Sequence, residues 1–335
     1  MRVAIVGATG LVGQTLLRIL DERRFPVAEL RLYASADSRG SDVVWRGQRC
    51  AIQTLEEGHG SAGAPLAGID VAFFAAGAEV SRRHARTVAG AGAIVIDKST
   101  AMRLEPDVPL IVPEINGELI GEKRLIANPN CATIPLALLL APVAQAFGVK
   151  WASVSTYQSV SGAGRRALEE LAEQSRGFGG APAALPRRIA GNVFPENGAF
   201  DEAGHSDEEQ KIAAELRKLL DLPELAVSAT SVRVPVAIGH GEAVAFGTTV
   251  DASLDEIRSV LRGFSGIVFA EGTRYAAPAD VAGTDDVVVG RLRRDNAHPR
   301  AYLCWVASDN LRKGAATNAV QIAEYALRVR ATAAS

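Results

Sequence analysis

Residues 3–13 read VAIVGATGLVG, and this stretch decides the fold of the N-terminal region. Its first four residues are apolar and predict a short buried strand, Val3–Val6. Three glycines in the spacing GxxGxxG follow, and a helical pattern then runs from Leu11 to Asp21. Small residues between a strand and a helix let a phosphate reach the backbone N–H groups at the helix N-terminus. The stretch therefore predicts the first strand–turn–helix unit of a dinucleotide-binding fold.

The same alternation of apolar runs and helical patterns continues over the first third of the chain. Predicted strands lie at Leu30–Ala34, Val71–Ala75 and Ala93–Asp97, and a predicted helix lies near Val80–Ala89. Strands that alternate with helices are typical of a parallel sheet covered by helices. We therefore expect an α/β fold whose N-terminal part is a doubly wound, Rossmann-type parallel sheet.

The pattern changes in the second part of the chain. Longer strands are predicted at Ala226–Val234 and Val244–Val250, and a helix at Asp207–Leu220. Polar alternation and fewer crossover helices are typical of mixed or antiparallel sheets. This region is expected to form a second, α+β domain with a mixed or antiparallel sheet.

The last helical pattern, Ala315–Val329, reads as strongly amphipathic. We expect this C-terminal helix to return to the first domain. The predicted division is therefore discontinuous, with a nucleotide-binding domain of residues 1–127 plus 314–335 and a second domain of residues 128–313.

Composition restricts the class of protein and its partners. The chain has 335 residues, a formal net charge of -2 and 48% apolar residues, which favours neither a nucleic acid nor a membrane as partner. Its three cysteines, Cys50, Cys131 and Cys304, are too few and too widely spaced for a disulfide framework or a zinc site. We expect no metal and a reducing compartment, and the short N-terminal apolar run is no signal peptide. A cytoplasmic protein is predicted.

The end of the second predicted strand bears on the choice between NAD and NADP. An acidic residue there takes the ribose 2′-hydroxyl of NAD. Ser35, Ser38 and Arg39 are suited to a 2′-phosphate, whereas Asp37 argues for NAD. The hydroxyls and Arg39 favour NADP, although Arg39 as an ordinary solvated arginine is an equal alternative.

Cys131 is the candidate nucleophile. It lies in the turn NPNCAT between the apolar stretch Leu125–Ala127 and a predicted helix, Ile134–Phe147. A helix N-terminus favours the thiolate and can stabilise an oxyanion on the carbon that the thiolate attacks. Cys50 and Cys304 lie within strand-like segments, which is typical of structural cysteines.

A thiolate beside a nicotinamide suggests an aldehyde–thioester reaction, and this reaction needs a proton carrier and anion-binding groups. His240 lies between two predicted strands, in the segment RVPVAIGHGE, which also contains Arg233. A strand followed by a glycine-flanked turn can deliver both side chains to one cleft. An imidazole is suited to proton transfer near neutral pH. A hydrogen-bonded loop histidine without a catalytic role is the alternative.

Motifs along almost the whole chain resemble those of the aspartate-semialdehyde dehydrogenase family. In collinear order they are GATGLVG (7–13), RLEPDVPLIVPEIN (103–116), NPNCATI (128–134), STYQSVSGAG (155–164), SDEEQK (206–211), SVRVPVAIGH (231–240), VGRLRRD (289–295) and SDNLRKGAATNAVQIAE (308–324). The resemblance implies NADP-dependent reductive dephosphorylation of L-aspartyl-4-phosphate to L-aspartate 4-semialdehyde through a cysteine thioester. The reaction would serve lysine, threonine, methionine and diaminopimelate biosynthesis.

The resemblance also implies a role for each matching residue. Cys131 would carry the acyl group, His240 would be the acid/base and Gln158 would orient the substrate. Arg233 would pair with the substrate α-carboxylate, and Glu208 with its ammonium group. Two further cations would bind the phosphate, namely Arg103 and Lys211. The implied cofactor-binding residues are Gly7, Thr9, Gly10, Leu11, Val12, Gly13, Asp37, Ser38, Ser161, Gly162 and Asn318, and they add to Ser35 and Arg39 at the end of the second strand.

Three positions depart from the family pattern. Ala132 stands where a serine is common, Lys98 where an asparagine is usual, and Asp37 where an arginine often holds the 2′-phosphate. The alternatives are another acyl-phosphate or acyl-thioester reductase on the same scaffold, such as N-acetyl-glutamyl-phosphate reductase or malonyl-CoA reductase, and a non-catalytic paralogue acting as a scaffold. The resemblance further implies a homodimer or a homotetramer.

Overall fold

The computed structural model describes residues 1–38, 40–55, 66–177 and 181–334. The chain divides into two compact units, one of Met1–Pro129 with Ala315–Ser335 and one of Asn130–Gly314.

The first unit is built on a mostly parallel sheet. Its elements in chain order are β1 (Arg2–Val6), α1 (Leu11–Glu22), β2 (Glu29–Tyr33), β3 (Asp42–Trp45), β4 (Gln48–Gln53), β5 (Val71–Phe74), α2 (Ala78–Gly90), β6 (Ile94–Asp97), α3 (Pro113–Asn116) and β7 (Leu125–Ala127). In the described part of this unit the strands lie in the order β3-β4-β2-β1-β5-β6-β7, and only β3 runs antiparallel to its neighbour. The prediction of a doubly wound parallel sheet is confirmed.

The strand-to-helix turn depends on Gly7. Its φ is +95°, a conformation that side chains with a Cβ rarely adopt. A Cβ at this position would also lie 2.6 Å from the backbone carbon of Ala75. The turn therefore brings β1 and the end of β5 closer together than any other residue would allow.

The hairpin of β3 and β4 was not expected from the sequence. Its turn residues, Arg46 and Gly47, both have positive φ, at 48° and 76°. Such a turn matches the twist of a tight hairpin, but it is usually signalled by Asn-Gly or Asp-Gly. An arginine in this position gives no such signal.

The second unit is built on a mixed sheet. Its elements are α4 (Thr133–Phe147), β8 (Val149–Gln158), α5 (Arg165–Ser175), α6 (Asp207–Leu220), β9 (Ala226–Arg233), β10 (His240–Thr248), α7 (Leu254–Gly263), β11 (Ile267–Phe269), β12 (Val287–Arg294) and β13 (Ala301–Ser308). Within the described residues the strand order is β11-β12-β13-β10-β8-β9, with the two edge strands parallel to their neighbours and the central pairs antiparallel. The predicted mixed sheet is confirmed.

One predicted strand has the wrong bounds. The sequence predicted Val244–Val250, but β10 begins at His240 and ends at Thr248. His240 pairs with Ser308 of β13, so it lies at the start of the central strand and not in the preceding turn. The buried carboxyl of Glu242 interrupts the apolar pattern, so the first half of this strand cannot be recognised from the sequence.

The C-terminal helix α8 (Thr317–Ala334) packs on α1, α3 and β6 and so completes the first unit, as predicted. It is not strongly amphipathic over its first half, because Ala319, Val320, Ile322, Ala323 and Ala326 bury all or nearly all of their surface. The helix is buried on more than one side, so the prediction of a strongly amphipathic helix was wrong there. In the described ranges, no helix has both the length and the apolar character needed to cross a bilayer.

Candidate active site

Cys131 lies two residues before the first residue of α4 and is half-buried. The turn that holds it is fixed by Asn130, whose side-chain oxygen accepts the Ala132 N–H at 2.8 Å. The main-chain N–H of Asn130 donates to the buried carboxylate of Glu215 at 2.6 Å. The first N–H groups of a helix and its dipole stabilise a negative charge at this end. The cysteine therefore has the surroundings that favour a thiolate.

His240 faces the cysteine. Its Nε2 lies 3.5 Å from Sγ of Cys131, and its side chain is 1% exposed. The other ring nitrogen, Nδ1, lies 3.1 Å from both the main-chain nitrogen and Oγ of Ser159. The predicted nucleophile and the predicted proton carrier are thus a contacting pair, 109 residues apart in the chain.

A carboxylate lies beside this pair on helix α6. Oε1 of Glu208 accepts hydrogen bonds from Nδ2 of Asn130 at 2.8 Å and from Nε2 of Gln158 at 3.2 Å. The helix begins where it does because Ser206 and Glu209 form a reciprocal capping box. Nζ of Lys211 lies 4.0 Å from the second oxygen of Glu208. The structure therefore brings Glu208, Gln158 and Lys211 together, and their predicted substrate contacts stay predictions.

Arg233 is the last residue of β9, and it is 7% exposed. Its Nη1 donates to the carbonyl oxygen of Ser159 at 2.7 Å, and its Nε has no hydrogen-bond partner among the described residues. Burial lowers the pKa of this guanidinium, whereas Glu208 and Cys131 act to raise it. A buried cation with an unused N–H group is suited to bind a carboxylate.

Gly162 leaves room beside these groups. A Cβ at this position would lie 3.0 Å from Nη1 of Arg233 and 3.5 Å from Nε2 of His240. Ser161 and Gly162 belong to a short 3-10 turn, Val160–Ala163, that follows β8. They lie in the second unit with the cysteine, and their predicted cofactor contacts stay predictions.

Arg103 lies in the first unit and is 4% exposed. Its Nε donates to the carbonyl oxygen of Asn128 at 3.0 Å, and Nη2 to that of Lys98 at 2.7 Å. The guanidinium thus ties the chain after β6 to the chain after β7. Its predicted role in phosphate binding is not tested by these contacts.

The glycine turn of the first unit borders a cavity of about 230 Å³ at the ends of the parallel strands. The lining includes Gly7, Tyr33, Ser35, Thr54, Arg83 and His84. No side chain of the described residues caps the N-terminus of α1, so Leu11 and Val12 begin the helix with main-chain N–H groups available to a phosphate. A carboxyl end of parallel strands beside a helix N-terminus is where dinucleotides bind in such sheets.

The other predicted cofactor residues also lie in the first unit. Oγ1 of Thr9 and Oγ of Ser38 are 3.3 Å apart, and Asp37 lies in the short 3-10 turn Ala36–Ser38. Arg39 lies outside the described residues. Asn318 of α8 is fully buried, and its Nδ2 donates to Oδ1 of Asn128 and to the carbonyl oxygen of Ile111.

Sequence reasoning missed three groups of residues around these sites. Asn130 lies in the NPNCATI motif, which indicates no role for it, although it connects the cysteine turn to Glu208 and Glu215. Ser159 and Asn310 form a buried cluster with His240, and no local signal connects positions so far apart. Arg83 and His84 read as surface residues of α2, because only the sheet topology brings this helix to the end of β2.

Two family models cover most of the chain. Residues 2–123 match the model of the semialdehyde dehydrogenase NAD-binding domain, and residues 140–313 match that of the semialdehyde dehydrogenase dimerisation domain. The fold and the site therefore define a protein of the two-domain semialdehyde dehydrogenase class.

Individual relatives narrow the class. A curated aspartate-semialdehyde dehydrogenase of Aquifex aeolicus is 43% identical, with 98% of both chains covered. The crystal structure of aspartate semialdehyde dehydrogenase II from Vibrio cholerae is 40% identical and superposes with a TM-score of 0.92 over 98% of both chains. The structure of the same enzyme complexed with ASA is 39% identical, also with a TM-score of 0.92 and 98% of both chains covered. This chain belongs to the aspartate-semialdehyde dehydrogenase family, which confirms the resemblance seen in its motifs.

Proposed function

We propose that this protein reduces L-aspartyl-4-phosphate to L-aspartate 4-semialdehyde with release of phosphate, using NADPH and a thioester on Cys131. The observation that carries the proposal is the 3.5 Å contact between Sγ of Cys131 and Nε2 of His240 at the N-terminus of α4. The relatives named above carry the name of this activity.

The chemistry follows from the charges around the cysteine. The Cys131 thiolate attacks the acyl carbon, the bond from that carbon to the phosphate oxygen breaks, and inorganic phosphate leaves. The nicotinamide cofactor, when bound, supplies the hydride that reduces the acyl group. The reduced adduct has its oxyanion on the carbon that is bonded to Sγ of Cys131. His240 and the helix N-terminus face this oxyanion and stabilise it. It then collapses to the aldehyde and returns the electron pair to sulfur.

The remaining residues recognise the aspartyl part. In the proposal, Arg233 binds the α-carboxylate with its unused N–H group, and Glu208 binds the α-ammonium. Gln158, which already touches Glu208, orients the acyl group. Lys211 and Arg103 take the phosphate. An amino acid with one carboxylate and one ammonium thus meets one cation and one anion.

NADP is the proposed cofactor. Ser35 and the Thr9–Ser38 hydroxyl pair offer hydrogen bonds to a 2′-phosphate, and Arg83 and His84 line the same cavity as Ser35. Asp37 remains the argument for NAD, because an acidic residue after the second strand takes a ribose 2′-hydroxyl. The guanidinium of Arg83 on α2 can replace the arginine that is absent at position 37.

A homodimer or homotetramer in the cytoplasm completes the proposal. The sheet face opposite α4 carries Tyr157 and Trp305, whose rings lie 5.6 Å apart, beside the small residues Ala243 and Ala245. Tyr157 is 37% exposed. An apolar patch of this kind is typical of a subunit interface. A reducing location is required because the proposed nucleophile is a free thiol.

The decisive experiment is phosphate-dependent reduction of NADP by L-aspartate 4-semialdehyde, the reverse reaction, with wild type and Cys131→Ala. We expect the variant to lose turnover by at least about 10³-fold while still binding the cofactor, since the covalent step has no other nucleophile.

Cys50→Ala is the matched control, because Cys50 lies in β4 of the first unit and has no proposed role. It should keep wild-type turnover. Wild-type turnover by Cys131→Ala would refute the mechanism. A wild type that turns over no aldehyde and reacts equally with iodoacetamide at all its cysteines would support the scaffold alternative.

A further inference from the structure

A buried polar cluster surrounds the side of His240 that faces away from the cysteine. His240, Ser159 and Asn310 are exposed by 1%, 0% and 2%. The main-chain N–H of Ser159 donates to Nδ1 of His240 over 3.1 Å, and Oγ of Ser159 lies 3.1 Å from the same nitrogen. The ring is therefore held from a direction that the proposed reaction does not use.

The direction of one of these bonds is fixed by chemistry. A main-chain N–H can only donate, so Nδ1 must present its lone pair to Ser159. A neutral imidazole has one N–H group, and here that hydrogen must reside on Nε2. Nε2 is the atom that faces Sγ of Cys131 at 3.5 Å. The cysteine thus faces a hydrogen-bond donor.

Asn310 holds both segments that determine this geometry. Its Oδ1 accepts from Oγ of Ser159 at 3.0 Å and from the main-chain N–H of Gly239, the residue before His240, also at 3.0 Å. Its Nδ2 donates to Oγ of Ser161 at 2.9 Å. One amide side chain therefore holds Ser159, whose main-chain N–H donates to Nδ1, and the backbone that carries the ring.

We propose that Asn310 is a positioning residue that, through Ser159 and Gly239, keeps His240 in the tautomer with hydrogen on Nε2. This inference rests on the proposed function, in which Cys131 and His240 act together. In this tautomer His240 donates to the thiolate and then to the oxyanion of the adduct. A nitrogen that already carries hydrogen cannot accept the thiol proton, so the ring acts on a cysteine that is already ionised.

The wild-type protein tests the tautomer directly. It is labelled with ¹⁵N-histidine, and long-range ¹⁵N–¹H correlation NMR is recorded without substrate at neutral pH. His240 is assigned by the signals that disappear in His240→Asn. We expect a bare Nδ1 and a protonated Nε2. A protonated Nδ1, with or without a hydrogen on Nε2, would overturn the proposal.

Asn310→Ala tests the role of the amide, and Asn116→Ala is the matched control. Asn116 is also a buried asparagine bonded to main-chain groups, Val112 N–H and the Leu110 carbonyl, but it lies in the first unit. We expect Asn310→Ala to give His240 signals of mixed tautomers and to lower kcat by about tenfold or more, with KM for the aldehyde within about twofold. Asn116→Ala should change neither property.

The outcomes separate this inference from the proposed function. An unchanged His240 spectrum in Asn310→Ala contradicts the inference even if kcat falls. If Asn310→Ala does not fold, the wild-type spectrum still decides the tautomer. A wild type with the Nε2–H tautomer and no activity on aspartate semialdehyde would refute the proposed function and leave the assignment of the ring intact.

Discussion

Arg83 is the residue on which we expect the choice between NADP and NAD to depend. It lines the cavity that also contains Ser35, and its guanidinium pairs with Glu79 of the same helix at 3.0 Å near the surface. A surface pair of this kind contributes little to stability, so the arginine can turn to a phosphate at small cost. The charge that the loop after β2 lacks at position 37 can therefore come from a neighbouring helix.

We predict that Arg83→Ala raises KM for NADP by about tenfold, because one charge-assisted bond to the 2′-phosphate is lost. KM for NAD should change by less than about twofold, since NAD has no phosphate there. Steady-state kinetics with both cofactors measure the difference. Arg82→Ala, the exposed neighbour on α2, is the control and should behave as wild type with both. Equal losses with NAD and NADP would contradict a role in phosphate recognition.

At the scale of elements, β10 carries both the imidazole of His240 and an unusual carboxyl. Glu242 is two residues after His240, is 1% exposed, and neither of its oxygens has a hydrogen-bond partner among the described residues. Burial raises the pKa of Glu242 well above its ordinary value. The side chain is therefore neutral in the folded state at a pH where the unfolded chain has lost the proton.

This difference predicts how stability varies with pH. Above the ordinary glutamate pKa the folded state binds more protons than the unfolded state, so its stability falls as pH rises, by about 1.4 kcal/mol per pH unit within that window. Glu242→Gln removes the titration. We expect urea unfolding at pH 5 and pH 8 to show a variant whose stability relative to wild type increases with pH.

The exposed Glu173→Gln on α5 is the control and should follow wild type at both pH values. If the difference in free energy of unfolding between Glu242→Gln and wild type were the same at pH 5 and pH 8, Glu242 would be ionised in the folded protein or paired in solution. In either case the slope assigned to this carboxyl would be wrong.

Helix α6 and strand β10 show where element boundaries can be predicted. For α6 the sequence carries Ser206 and Glu209 at capping-box spacing, and the predicted and observed bounds coincide at Asp207–Leu220. For β10 no comparable signal exists, because a neutral glutamic acid looks like a surface charge in a sequence. The start of α6 could be predicted because local hydrogen bonds determine it. The start of β10 could not, because burial determines it.

At the scale of the whole molecule, the open face of the mixed sheet predicts self-association. Trp305 packs close to Gly241, where a Cβ would lie 2.4 Å from its ring. On the same face, the half-buried Ala245 lies between Leu303 of β13 and Ser153 of β8. We predict that the wild type sediments as a dimer or tetramer and that Ala245→Arg shifts the population towards monomer, since an interface buries this charge without a partner.

Val268→Arg is the matched control, because Val268 is 46% exposed on the edge strand β11. It adds the same charge to the same sheet and should leave the sedimentation coefficient unchanged. A monomeric wild type, or an Ala245→Arg variant that associates as strongly as wild type, would contradict an interface on this face.

The fold class and the members of the cysteine cluster could be predicted because each depends on short motifs. The sequence marked Cys131, Glu208, Arg233 and His240 as candidates, and the structure brings them together in one unit. Asn310 could not be predicted, because its contact with Ser159 joins positions 151 residues apart. That contact follows from the alignment of β8, β10 and β13, and no local pattern encodes it.

The return of α8 to the first unit has a consequence for biosynthesis of the chain. Ala319, Val320, Ala323 and Ala326 belong to the same apolar core as Val3 and Ile5 of β1. During translation at about 5–20 residues per second, the residues of β1 leave the ribosome about 15–60 s before those of α8. Throughout that interval, in which the inserted unit of Asn130–Gly314 is synthesised, the core of the first unit lacks the side chains that α8 contributes.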